Sequence, residues 1–237
     1  LRQVPVGRAA GLDFAAALRA FRHADPDVIM AGALPDRETA GLAMEAALAG
    51  RLVLAALPAR GAPEAALRLL ELGLDPFGAA DTLLGVLAQR LVKRLCTACR
   101  QAYHPGAAEL DLLLTEYCEE LQAAPSNDMA ADAGIDAARG RVLAGWRDSH
   151  GGADGRFTLY RAMGCARCHG GYHGRAGLFE LMVAGPHTTG QLARRPDAVQ
   201  LRAAALQDGM RTLKMDGIGK VLAGITDIRM VRAACAR

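Results

Sequence analysis

The sequence predicts an α/β protein with a metal-stapled subdomain and a helical C-terminal tail, and three observations lead there. Short apolar runs alternate with helical stretches between Pro26 and Asp75, as in parallel α/β proteins. Two CxxC pairs, Cys96 with Cys99 and Cys165 with Cys168, are separated by 65 residues. From Gln191 onward the pattern is almost wholly helical. At 237 residues, 51% of them apolar, the chain has room for one full core and a smaller appendage.

The elements follow in order. Asp25 and Asp27 read as turn and strand-entry residues, and DVIMAGAL (27–34) as a buried strand. RETAGLAMEAALAG follows as a helix with Leu42, Ala46 and Ala49 on one face and Gly50 as its stop. RLVLAALP is a second strand, ended by Pro58. APEAALRLLELG is helical, with Pro63 near its start and Gly73 past its end. FGAADTLLGVLAQRLVKRL is expected as a long amphipathic helix that runs into Cys96.

Between the cysteine pairs, AAELDLLLTEYCEELQAA reads as an acidic helix and PSNDMAADAGIDAARG (125–140) as a mobile loop. RVLAGWRDSH adds a short helix whose Trp146 anchors the insert against the body. RFTLYRAMGC returns as a strand into Cys165, and GRAGLFELMVA alternates like another strand. The tail is expected as two or three helices broken at Gly209 and Gly217, with Met210 and Met215 as core filler. The resulting division is 1–95, a cysteine subdomain 96–176 with its insert at 105–158, and 177–237.

Net charge is only +3, and the basic residues are scattered, so no electrostatic footprint for nucleic acid is visible. No run approaches the roughly 18 to 20 apolar residues of a membrane-spanning helix, and the first residues lack the apolar core of a secretory signal. A soluble, cytoplasmic protein is expected, and a start at Leu1 rather than Met points to a fragment or a processed chain.

Two CxxC turns each present two thiolates to one ion, and four thiolates at about 2.3 Å close a tetrahedral zinc site with no open position. Cys96, Cys99, Cys165 and Cys168 are therefore expected to hold a structural Zn2+ that staples the ends of the insert. His104, His169 and His173 lie near enough in sequence to compete, but read as solvent-facing or supporting residues. Cys118 reads as a small buried apolar residue.

DPDVIMAGALPDRETA, LAGRLVLAALPARGAP, LRLLELGLDPF, LLGVLAQRLVKRLC and GCARCHGGYHGRAGLFELM together resemble the C-terminal half of the secretion ATPases that drive type II secretion and type IV pilus assembly. That resemblance implies a RecA-like P-loop NTPase core, a zinc subdomain, a hexameric ring with ATPase-family subunits, and a cytoplasmic position at an inner-membrane platform. It also implies ATP with Mg2+, and it maps a remnant of the nucleotide site onto Gly32, Asp36 and Glu38.

The departures from the family pattern are chemical. Where the family reads GEIRD, this chain has Gly32, Ala33, Leu34, Pro35 and Asp36, so a methyl group stands at the water-activating position. In the block resembling LTGHLVLSTLHTN the apolar residues persist, but both histidines and the Ser, Thr and Asn positions are lost between Leu48 and Arg60. No GxxxxGKT or GxxxxGKS occurs in these residues. Arg19 and Arg22 read as a solvated helix face rather than phosphate-binding residues. A catalytically impaired assembly subunit is the leading expectation. The alternatives are the C-terminal part of an active motor and a zinc module that contacts nucleic acid or protein.

Overall fold

The computed structural model describes residues 2–7, 11–21, 23–121 and 130–236. In chain order the elements are α1 (Phe14–Phe21), β1 (Val28–Ala31), α2 (Arg37–Leu48), β2 (Leu52–Ala55), α3 (Ala62–Glu71), α4 (Pro76–Thr82), β3 (Gly85–Leu95), β4 (Gln101–Tyr103), α5 (Ala107–Leu121), α6 (Ala130–His150), β5 (Leu159–Arg161), β6 (Tyr172–Val183), α7 (Pro186–Leu192), α8 (Ala198–Gln207), α9 (Leu213–Leu222) and α10 (Ile228–Cys235). They form two compact units, Leu1–Val86 with Met182–Asp208, and Leu87–Leu181 with Gly209–Arg237.

In the first unit β1 and β2 pair in parallel, Val28 opposite Leu52 through Ala31 opposite Ala55. Ile29 and Ala31 point inward against Leu18, Leu34, Leu74 and the alanine stripe Ala40, Ala43 and Ala46 of α2. Methyl side chains at that spacing let the helix lie close to the strands. The other face of the pair is bare: Val28, Met30, Leu52 and Leu54 are 53%, 78%, 43% and 48% exposed. Parallel strands are ordinarily covered on both faces, so this apolar surface calls for a cover. The stop expected at Gly50 is a left-handed residue with φ +86°.

The second unit is built on a core of Val92, Leu113, Leu114, Cys118, Trp146, Phe157, Leu159, Leu178, Ile218 and Val231, among others. Trp146 meets Tyr117 edge to face at 5.4 Å, fixing α6 against α5 inside this core. Cys118 is buried in the same core, as its setting in an acidic amphipathic helix suggested. Glu116 is buried too, and burial alone would raise its pKa. The Arg232 and Lys214 charges outweigh that and hold it below the usual carboxylate range.

Three expectations need correction. The long helix over 77–95 is a short helix, α4, followed by the strand β3, whose residues 85, 87, 89, 91 and 93 are exposed while 86, 88, 90 and 92 are covered. Leu87 and Leu91 fit a helical stripe in sequence, but the pairing of β3 with β6 decides otherwise. Cys96 N donates to Gly171 O at 2.8 Å at one end of that pair and Ala184 N to Leu84 O at 3.0 Å at the other, so it runs antiparallel. The loop expected at 125–140 is helical from Ala130 onward, continuous with the Trp146 segment; 125–129 and Arg22 lie outside the described residues. Gly209 does break the tail, but Gly217 does not.

Gly217 sits inside α9 because α10 crosses there: a Cβ at this position would overlap the Val231 side chain. Overpacking of this kind costs about 1 to 3 kcal/mol. Gly217→Ala is expected to lower the unfolding free energy by about that amount, and Val231→Ala to recover part of the loss in the double variant. Urea melts of the four proteins check it; additive effects would show that the two positions are not coupled.

Candidate metal centre

Cys96 directly follows β3, and its carbonyl accepts from Cys99 N at 3.2 Å and Arg100 N at 2.9 Å, which folds the first CxxC into a turn. Cys165 and Cys168 make the matching turn, Cys168 N donating to Cys165 O at 3.1 Å. The two turns face each other. Cys96 and Cys165 Sγ are 4.0 Å apart, Cys99 and Cys168 Sγ 3.7 Å, and Cys165 and Cys168 Sγ 3.7 Å. All four sulfurs lie within 4.8 Å of one another, and none is in a disulfide.

A fit to zinc can be tested by geometry. Four sulfurs at about 2.3 Å from one tetrahedral ion are about 3.8 Å from each other. Three of the six edges, at 3.7 to 4.0 Å, match such a tetrahedron and the rest stay within 4.8 Å, whereas a disulfide would need about 2.05 Å. Backbone amides support the set: Gly164 N donates to Cys99 Sγ at 3.4 Å and Cys165 N to Cys168 Sγ at 3.3 Å.

Crowding splits the thiols. Gly164 N–H favours the Cys99 thiolate, but desolvation and the neighbouring thiols together push its pKa up to about 11. Cys168 feels desolvation in the same sense, yet the amides of Cys165 and Gly171 and its thiol neighbours pull it down to about 7. Thiols packed this closely cannot all ionise without a cation among them.

The competing histidines stand apart from the cluster. His104 Nδ1 is 2.9 Å from Phe157 O and ties the chain after β4 to the approach to β5. His169 and His173 are solvent-facing. Two features were not legible in the sequence. The strand β4 pairs antiparallel with β5, Gln101 opposite Arg161, and Arg100 and Arg161 lie over the rings of Tyr160 and Tyr103 at 4.2 and 4.5 Å. An arginine and a tyrosine beside each cysteine pair were the only hint of this brace.

Gly32, Asp36 and Glu38 fall together where β1 leads into α2, and Ala33 is half-buried between them. Asp36 is the N-cap of α2: its carboxylate accepts from Thr39 N at 2.8 Å, which lowers its pKa. Glu38 pairs with Arg19 at the surface, so Arg19 is a helix-face residue as expected. One capping carboxylate, one ion-paired carboxylate and a methyl group do not fit an ATP and magnesium site.

No described helix is long and apolar enough to cross a membrane. Among solved structures, the chain is similar to the Legionella pneumophila ATPase DotB, with a TM-score of 0.55 at 17% identity, covering 96% of this chain and 44% of that one. It is also similar to the pilus retraction motor PilT with bound ADP, at TM-score 0.53 and 16% identity over 95% and 44% of the two chains. At these identities the likeness establishes an α/β fold shared with those ATPases.

Sequence relatives are nearer. The type IV pilus assembly ATPase PilB of Thermus thermophilus is 38% identical over 98% of this chain and 22% of its own length. Type II secretion system protein E of Pseudomonas aeruginosa is 35% identical over 97% of this chain and 38% of its own. The chain thus spans less than two fifths of these relatives. The model of the family described as Type II/IV secretion system protein matches residues 1–233, and the chain belongs to that family.

Proposed function

We propose that the protein is a catalytically impaired member of a type II secretion or type IV pilus assembly motor, and that these residues are the C-terminal portion of an ATPase-family subunit acting in assembly. The observation that carries this reading is the end of β1. Ala33 stands where the family resemblance puts the water-activating glutamate, and a methyl group neither accepts a proton nor orients water. Asp36 and Glu38, the surviving polar residues there, already serve as a helix cap and a surface ion pair.

The frame around this lost chemistry is intact, with α2 packed on β1 by its alanine stripe. The bare apolar face of β1 and β2 supports a place in a larger assembly, since exposed apolar patches mark interaction surfaces. A ring of like or related ATPase-family subunits on inner-membrane platform proteins, at the cytoplasmic side, is the assembly this reading implies. The Cys96, Cys99, Cys165 and Cys168 set would hold a structural Zn2+ in it.

ATP hydrolysis by the protein at the full length its gene encodes tests the reading. No turnover above background is expected. Turnover that Asp36→Asn abolishes would instead identify an active motor. Asparagine caps a helix as well as aspartate does, so the variant removes the charge and keeps the fold.

A further inference from the structure

The second unit carries a cleft of about 460 Å³ that neither the cysteine cluster nor the β1–α2 region uses. One wall is the face of α6 that bears Arg141, Gly145 and Trp146, and the other is the face of α9 that bears Gly219 and Lys220, reached from Arg211 just before that helix. Both glycines have nothing within 4 Å of where a Cβ would be, so the cleft is open at its middle and a ligand can approach the helices closely there.

Charge decides what fits. Among the described residues of the lining Asp216 is the only carboxylate, and it already accepts from Phe179 N at 2.8 Å and from Lys220. Lys220 and Asp216 therefore cancel. Arg141 and Arg211 are exposed and have no carboxylate partner among the described residues. Two guanidiniums remain uncompensated, so the cleft carries an excess of two positive charges beside an aromatic wall.

We propose that the cleft between α6 and α9 is a binding site for a small phosphate-bearing dianion held between Arg141 and Arg211. Two guanidinium forks match two unneutralised phosphate oxygens, each by paired N–H donors. Ser149, also in the lining, supplies a hydroxyl donor to the same space. The dianion neutralises the cleft, whereas a monoanion leaves it charged.

Trp146 is the only tryptophan in the chain and lines the cleft, so its fluorescence reports occupancy directly. Inorganic phosphate, titrated at constant ionic strength and at a mildly alkaline pH where it is the dianion, is expected to give a saturable change, and isothermal calorimetry to give one site per chain. In the Arg141→Ala, Arg211→Ala double variant the apparent affinity is expected to fall about a hundredfold, roughly tenfold for each charged hydrogen-bonding group removed. Both arginines are exposed, so an unchanged thermal melt confirms the double variant is folded. The proposal is overturned if neither fluorescence nor calorimetry detects saturable binding up to the low-millimolar range, or if the double variant titrates like the parent.

Discussion

Replacing Cys96 with serine is expected to remove a stoichiometric zinc ion and to lower the melting temperature of the protein by roughly 10 °C. An ion bound only by the folded state stabilises it in proportion to the logarithm of its free concentration over its Kd, and a thousandfold excess contributes about 4 kcal/mol. For a chain of this size each kcal/mol is worth about 2 to 4 °C. Cys96 is the position to change because it is the buried member of the four, directly after β3, with its amide bonded to Gly171 O at 2.8 Å. Serine there keeps the volume and loses a zinc-binding thiolate.

The damage should be local. Cys99, Cys165 and Cys168 are outside the apolar core of the second unit, whose Leu178, Ile218 and Val231 are fully buried. Amides of 96–101 and 164–172 are therefore expected to lose hydrogen-exchange protection while those of α9 keep theirs. Metal analysis of the parent should give one zinc per chain, and a chelator should reproduce the serine variant. A metal-free parent with the same melt and the same protection would refute the structural staple.

How much of this was legible in the sequence depends on the distance over which each feature is decided. The four cysteines could be assigned because a CxxC turn brings its two sulfurs together locally, and only the meeting of the two turns is a tertiary fact. The alternation of strands and helices up to Gly73 was equally local. β3 was not, since Leu84, Leu87, Leu91 and Leu95 satisfy a helical stripe as well as an extended run, and only pairing with β6 resolves the ambiguity. Gly217 misled for a related reason: glycine in a helical pattern signals a break in sequence, but here it marks the crossing of α10. Asp36 shows the limit for the site itself. Its sequence position matches a family motif, while its hydrogen bond to Thr39 reveals a cap, a role that survives loss of the chemistry.

Asp208→Ala is expected to destabilise the protein by about 3 kcal/mol, more than a typical surface substitution by far. The N-cap of α7 is Gly185, which has no side chain to cap the helix. Asp208, at the end of α8, supplies the missing acceptor from elsewhere in the chain. Its carboxylate takes hydrogen bonds from Thr188 N at 2.7 Å, His187 N at 3.2 Å and His187 Nδ1 at 2.8 Å, with its side chain only 5% exposed. Gly185 is small because the carboxylate occupies that space: a Cβ there would lie 2.5 Å from Asp208 Cγ. Alanine at 208 leaves the N–H of the buried Thr188 without a partner, which costs more than that bond itself contributes, and it also gives up the two bonds from the exposed His187. Burial acts to raise the Asp208 pKa, but the donors from Thr188 and His187 outweigh it and hold the group at about 2, below its ordinary 3.8. A folded pKa below the unfolded one gives stability that is full above about 3.8 and is lost as pH falls through about 2. The parent's unfolding free energy should therefore fall more steeply than the variant's over that window, and the two should converge at its acid end. Parallel pH profiles in that window would show that the carboxylate is not the cap of α7.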